Sequence, residues 1–127
     1  MKIIRRYPIA FALLAAIAIS LPSTAIAVEG EKIYRQCKAC HDLEAGKHKI
    51  GPSLAGVVGR QAGTAEGFTK YKGLTDADWT WTELELMAYL EDPTSYTKAK
   101  TGIPSSMTLK LKKEEERKAV IDYLKNQ

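Results

Sequence analysis

Apolar residues recur at helical spacing in three stretches of the chain. The first runs from about Val28 to Ala39, with Ile33 and Tyr34 set among Glu31, Lys32, Arg35 and Gln36. The second opens on Thr82-Glu83-Leu84-Glu85, the Thr-x-x-Glu form of a capping box. It carries Leu86, Met87, Tyr89 and Leu90, and stops at Asp92-Pro93 because proline cannot continue the hydrogen-bond ladder. The third begins with Glu114, Glu115 and Glu116, acids placed where a helix start is electropositive. It sets Val120, Tyr123 and Leu124 on one face. Between the first two, from Asp42 to Trp79, Gly46, Gly51, Pro52, Gly56, Gly59, Gly63, Gly67 and Gly73 interrupt any regular element. So long a loop in a small domain wraps something. Thr94 to Leu111 also reads as a loop, centred on Gly102-Ile103-Pro104. The pattern predicts an all-α domain of three main helices and long loops.

The N-terminus is different in kind. Met1-Lys2-Ile3-Ile4-Arg5-Arg6 is basic, Ile9 to Leu21 is apolar and uncharged, and Ala25-Ile26-Ala27 offers small residues to a signal peptidase. Residues 1–27 are therefore expected to be a signal peptide, cleaved after Ala27, with residues 28–127 as the exported domain in the periplasm. A retained anchor would need a longer apolar span, so no stable membrane insertion is expected. The chain carries a net charge of +4; Lys2, Arg5 and Arg6 leave with the signal and no acid does, which leaves +1. A nearly neutral domain gives no argument for nucleic-acid binding.

A domain of this size buries enough surface only marginally, and small exported domains often add disulfides or a cofactor. The two cysteines of the chain, Cys37 and Cys40, are too close to staple distant segments. With His41 they form Cys37-Lys38-Ala39-Cys40-His41, the spacing of c-type haem attachment. Two thiols three positions apart can add to the vinyl groups along one haem edge, and the next histidine then lies under the iron. Export fits, because this attachment is made outside the cytoplasm in bacteria. A thiol redox pair would be expected near a βαβ pattern, which is missing. A zinc site would have to crowd Cys37, Cys40, His41 and His48 into one loop.

Several patches in order along the chain resemble the class I cytochrome c family, of the bacterial cytochrome c2 or mitochondrial-like group. Gly30 and Tyr34, with Tyr123, resemble the meeting of its terminal helices. Gly51-Pro52-Ser53-Leu54 resembles its turn beside the axial histidine. Gly59-Arg60-Gln61-Ala62-Gly63-Thr64-Ala65-Glu66-Gly67-Phe68 resembles the loop closing the bottom of its haem pocket. Trp81, eight residues before Tyr89, resembles its buried tryptophan.

The resemblance implies one covalent haem c, held through Cys37 and Cys40 with His41 as an axial ligand oriented by the Pro52 carbonyl. Imidazole paired with thioether sulfur raises the potential, and the sulfur is Met107 or Met87. Met107, in a loop after Ile103-Pro104-Ser105-Ser106, resembles the family's ligand segment, whereas Met87 lies in a helix and suits the core. Arg60, Trp81 and Tyr71 are implied donors to the haem propionates, with Ser105 near one of them and the Tyr89 hydroxyl turned toward Met107. His48 is implied to brace loops. The stretch Thr97 to Ile103 is an insertion relative to the family. Lys38, Lys47, Lys49, Lys98, Lys100, Lys110 and Lys112 are expected to ring the haem edge and steer acidic redox protein partners. The implied function is a monomeric electron carrier rather than an enzyme, working between a quinol-oxidising complex and a terminal oxidase or other periplasmic redox enzyme. A haem protein with an open sixth position, and a subunit docked permanently in a larger enzyme, are the alternatives.

Overall fold

The computed structural model describes residues 23–127. Most of the predicted signal peptide lies outside the described residues. All three predicted helices form, and a fourth joins them: α1 (Ser23–Tyr34), α2 (Glu83–Glu91), α3 (Pro93–Thr101) and α4 (Glu114–Lys125). α1 starts earlier than its apolar spacing suggests and ends at Tyr34, and residues 35–40 continue as turns. Those turns still hydrogen-bond back along the chain, Lys38 N–H to Tyr34 O at 3.1 Å and His41 N–H to Cys37 O at 2.9 Å. The cysteine motif is thus carried by a winding extension of α1.

α1 packs on α4. A side chain at Gly30 would overlap the Ala119 carbonyl and stand 2.6 Å from Tyr123 Cβ, so only glycine lets the backbones approach this closely. Tyr34 and Tyr123 meet beside it with ring centroids 5.5 Å apart. α4 contributes Val120, Ile121 and Leu124 to a core that includes Ile33, Leu86 and Leu90. Arg117 is buried on the same helix, and its guanidinium donates to Leu111 O at 2.7 Å and Lys112 O at 2.9 Å.

α2 begins where the capping box places it, with Glu85 N–H donating to Thr82 Oγ1 at 3.1 Å. The reciprocal half does not form. The Glu85 carboxylate turns instead to the Tyr96 hydroxyl and to Lys100 Nζ, the latter at 2.9 Å. α2 ends before Pro93 as expected, but the chain does not then become a loop. Asp92 caps a new helix by accepting from Ser95 N–H at 3.1 Å, and Pro93 occupies its first turn, where no N–H is required. α3 closes on Gly102 at φ 78°, a left-handed conformation that suits glycine. The stretch Thr97 to Ile103 is therefore largely helix.

The long glycine-rich loop is held by short pairings. Gly59 N–H donates to Trp81 O, Trp81 N–H to Arg60 O and Ala62 N–H to Trp79 O, each at 2.8 Å. These set Arg60 beside Trp81 before α2 begins. The return from α3 is tied down where Leu111 N–H donates to Leu90 O at 2.8 Å. No described helix is long and apolar enough to cross a membrane.

Gly30→Ala should lower stability by about 1–3 kcal/mol, because overpacking against α4 exceeds the gain of about 1 kcal/mol in helix propensity. A lower urea midpoint at unchanged slope is the expected observation. Lys110 Nζ, 2.7 Å from Asp92 Oδ2, and the Ser95 N–H hold the Asp92 carboxyl down to about 2. Because its folded value lies below the unfolded one of about 3.9, this contribution is complete above about pH 4 and is lost as pH falls toward 2. Asp92→Asn should make the thermal midpoint fall less steeply across that window.

Candidate functional site

The loops and helices enclose a cavity of ≈ 260 Å³ whose wall is mostly apolar, including Leu54, Val57, Leu74, Leu86 and Leu90. Cys37, Cys40, His41 and Met107 all line it, although Met107 comes from a segment far along the chain. Met87 does not line it and packs against the core from α2.

His41 is oriented from behind. Its Nδ1 lies 2.7 Å from the Pro52 carbonyl, so Nδ1 carries the proton and Nε2 keeps its lone pair. Burial lowers the ring's pKa, against the opposing pull of the Pro52 hydrogen bond, so the imidazole is neutral and able to ligate. Gly51 makes room for it: a Cβ there would stand 2.8 Å from Nδ1 and 2.9 Å from Nε2. Cys37 is buried, and burial followed by the neighbouring Cys40 pushes its thiol up to about 11. A redox-active thiol needs a lowered value, and Cys37 has a raised one.

Met107 is also held. The Tyr89 hydroxyl donates to its Sδ at 3.6 Å and lies 3.2 Å from Ser105 Oγ. Ser105 Oγ in turn accepts from Met107 N–H at 3.1 Å. Tyr89 packs on Trp81 with centroids 4.7 Å apart, which fixes the ring that carries this hydroxyl.

Arg60, Tyr71 and Trp81 line the cavity as well. The Arg60 guanidinium donates to Ala55 O at 2.9 Å and Ser53 O at 3.1 Å, while its Nε is buried without a partner. Tyr71 accepts from Ala65 N–H at 2.8 Å, which leaves its own proton to donate elsewhere. The unpartnered buried indole N–H belongs to Trp79, which stands outside the cavity wall against Trp81 and Tyr96. Two thiols, a neutral oriented imidazole, a thioether and an unsatisfied Arg60 donor around one apolar cavity fit an iron porphyrin with anionic edge groups. They do not fit zinc. Both His48 nitrogens are engaged, Nδ1 by Ser53 N–H at 3.0 Å and Nε2 by Glu66 O at 2.8 Å, so His48 braces two loops and is not available as a ligand.

Five of the seven lysines expected at the haem edge sit in ion pairs, whereas Lys38 and Lys98 make none among the described residues. Lys47 and Lys49 pair with Asp42, Lys100 with Glu85, and Lys110 and Lys112 with Asp92. The lysines that line the cavity are Lys70 and Lys72, and neither makes an ion pair among the described residues. Sequence reasoning passed over both, because their place at the mouth depends on how the glycine-rich loop closes. It also passed over Thr97, fully buried in α3, whose Oγ1 accepts from Ser105 N–H at 2.6 Å. No sequence signal separates that threonine from its exposed neighbours.

Known proteins match this architecture. The family model described as cytochrome c aligns with residues 27–127. Cytochrome c2 of Rhodopseudomonas palustris is 41% identical over 111 residues, spanning 77% of this chain and 95% of the relative. Cytochrome c2 iso-2 of Magnetospirillum molischianum is 48% identical over 91 residues, spanning 70% of this chain and 88% of the relative. The solved cytochrome c2 from Rhodospirillum centenum superposes with a TM-score of 0.70 at 37% identity, covering 79% of this chain and 96% of that one.

Proposed function

We propose that this chain, which belongs to the cytochrome c family, is exported to the periplasm and shuttles single electrons there, with His41 and Met107 as the residues that would ligate its haem iron. The family carries one covalently attached c-type haem, transfers electrons and is not a family of enzymes. When bound, that haem supplies an iron that alternates between ferrous and ferric states.

The chain's own residues hold and tune it. Cys37 and Cys40 would form the thioethers, and His41 would ligate through Nε2 while Pro52 keeps its ring in place. Met107 would supply the second ligand, its sulfur held by Tyr89. A thioether paired with an imidazole would favour the ferrous state and raise the potential. Arg60, through its unpartnered Nε, together with Tyr71 and Trp81, would face the propionates. Ser105 steadies the Met107 backbone and completes that side.

The observation that carries this reading is that both candidate ligands line one apolar cavity and each is already fixed by a hydrogen bond of its own. Ligands prepared in this way need little rearrangement when the iron changes charge, which suits electron transfer rather than substrate binding. Lys70 and Lys72 line the cavity, as does Ile50 at 79% exposure, and together they suit an acidic redox partner with an apolar centre. Such partners would be a quinol-oxidising membrane complex as donor and a terminal oxidase or periplasmic redox enzyme as acceptor, reached by diffusion of the monomer.

The oxidised protein should show the weak near-infrared band of a sulfur–iron bond. Met107→Ala should abolish that band and lower the potential, whereas Met87→Ala should leave both nearly intact. A wild-type protein without the band that binds carbon monoxide readily when reduced would point to an open sixth position instead. The exported chain should begin at Val28 when its N-terminus is sequenced.

A further inference from the structure

The segment bearing Met107 is anchored from behind by α3, and the anchor is one hydroxyl. Thr97 has 0% exposure. Its Oγ1 donates to the Pro93 carbonyl at 3.0 Å, one helical turn back, and accepts from Ser105 N–H at 2.6 Å. From Ser105 the connection continues through Oγ to Met107 N–H at 3.1 Å, while the Tyr89 hydroxyl contacts both Ser105 Oγ and Met107 Sδ. A continuous line of hydrogen bonds thus runs from the first turn of α3 to the sulfur.

A threonine bonded to its own helix at i−4 is commonplace and by itself means little. Here that bond fixes the hydroxyl so that its lone pair faces Ser105. The place is also tightly packed. Gly73, at φ 83°, fits so tightly that a Cβ would stand 2.7 Å from Ile103 O, 3.1 Å from Ser105 N and 3.1 Å from Thr97 Oγ1. Thr101 Oγ1 ties the same loop by donating to Gly73 O at 3.1 Å. With the segment in place, Ser105 N–H lies packed under Gly73 and has no acceptor among the described residues other than Thr97 Oγ1.

We propose that Thr97 is a positioning residue for Met107, and that α3 sets how readily the sulfur is displaced from the iron by a competing ligand. The inference rests on Met107 being the axial ligand. An unpaired buried N–H destabilises the closed segment, whereas in the displaced state Ser105 reaches water and loses nothing. Removing the hydroxyl therefore raises the population open to an incoming ligand, and apparent affinity rises in proportion.

The test titrates the oxidised holoprotein with imidazole and follows the near-infrared band, with urea midpoints measured in parallel. Thr97→Val keeps the shape and removes the hydroxyl; Thr97→Ser keeps the hydroxyl and removes a methyl. Thr97→Val should bind imidazole about tenfold more tightly than wild type, and Thr97→Ser should stay close to wild type. Val and Ser variants that shift together would assign the effect to packing and overturn the proposal, as would a Val variant that binds like wild type. Met107→Ala separates the two levels. If it retains the band, the ligand assignment fails and this inference with it; if it loses the band while Thr97→Val behaves as wild type, this inference alone fails.

Discussion

At Gly30 the backbone of α1 lies against the Ala119 carbonyl of α4, and there is no room for a Cβ between them. That close approach fixes how the two terminal helices cross, and the crossing fixes where the chain goes next. The turns that follow Tyr34 deliver Cys37, Cys40 and His41 to the cavity wall. α4 meanwhile presents Val120 and Leu124 to the same cavity from its own side. Arg117 extends this control, because its buried guanidinium grips the carbonyls of Leu111 and Lys112 at the end of the Met107 segment. Both walls of the site are thus referred to one helix pair.

The two sides of the cavity are held in different ways. On the His41 side the restraint is short and local: one carbonyl, Pro52, and one missing side chain, at Gly51. On the Met107 side it is distributed over Tyr89, Ser105 and Thr97, with Asp92 and Lys110 clasping the outside. A neutral imidazole keeps its orientation with one good hydrogen bond behind it. A flexible thioether on a loop has several rotatable bonds and needs a framework. The chain provides that framework by folding α3 next to it.

The parts of this architecture that could be read from the sequence are those set by local chemistry. Cys37-Lys38-Ala39-Cys40-His41 is contiguous, and its meaning depends on spacing alone. Thr82 announced the start of α2, although Glu85 does not close the box, because Tyr96 and Lys100 compete for its carboxylate. α3 was hidden because Thr97, Lys98, Lys100 and Thr101 offer no apolar stripe; its helix rests on the Asp92 cap, Pro93 and a single buried hydroxyl. The charged surface was least legible. Whether a lysine is paired depends on acids brought close only by folding, as Asp92 is to Lys110 and Lys112.

The α1–α4 contact also has a meaning in time. It joins segments from opposite ends of the described chain, so it closes most of the described residues into one ring. Closing a ring that large costs entropy before most of its contacts exist to offset it, although the cost grows only slowly with length. Contacts of such long range belong to slower-folding topologies than local helical ones do. A cofactor tethered just after α1, as proposed for Cys37 and Cys40, would give the intervening loops something to condense on and would shorten the search that the terminal helices otherwise make along the chain.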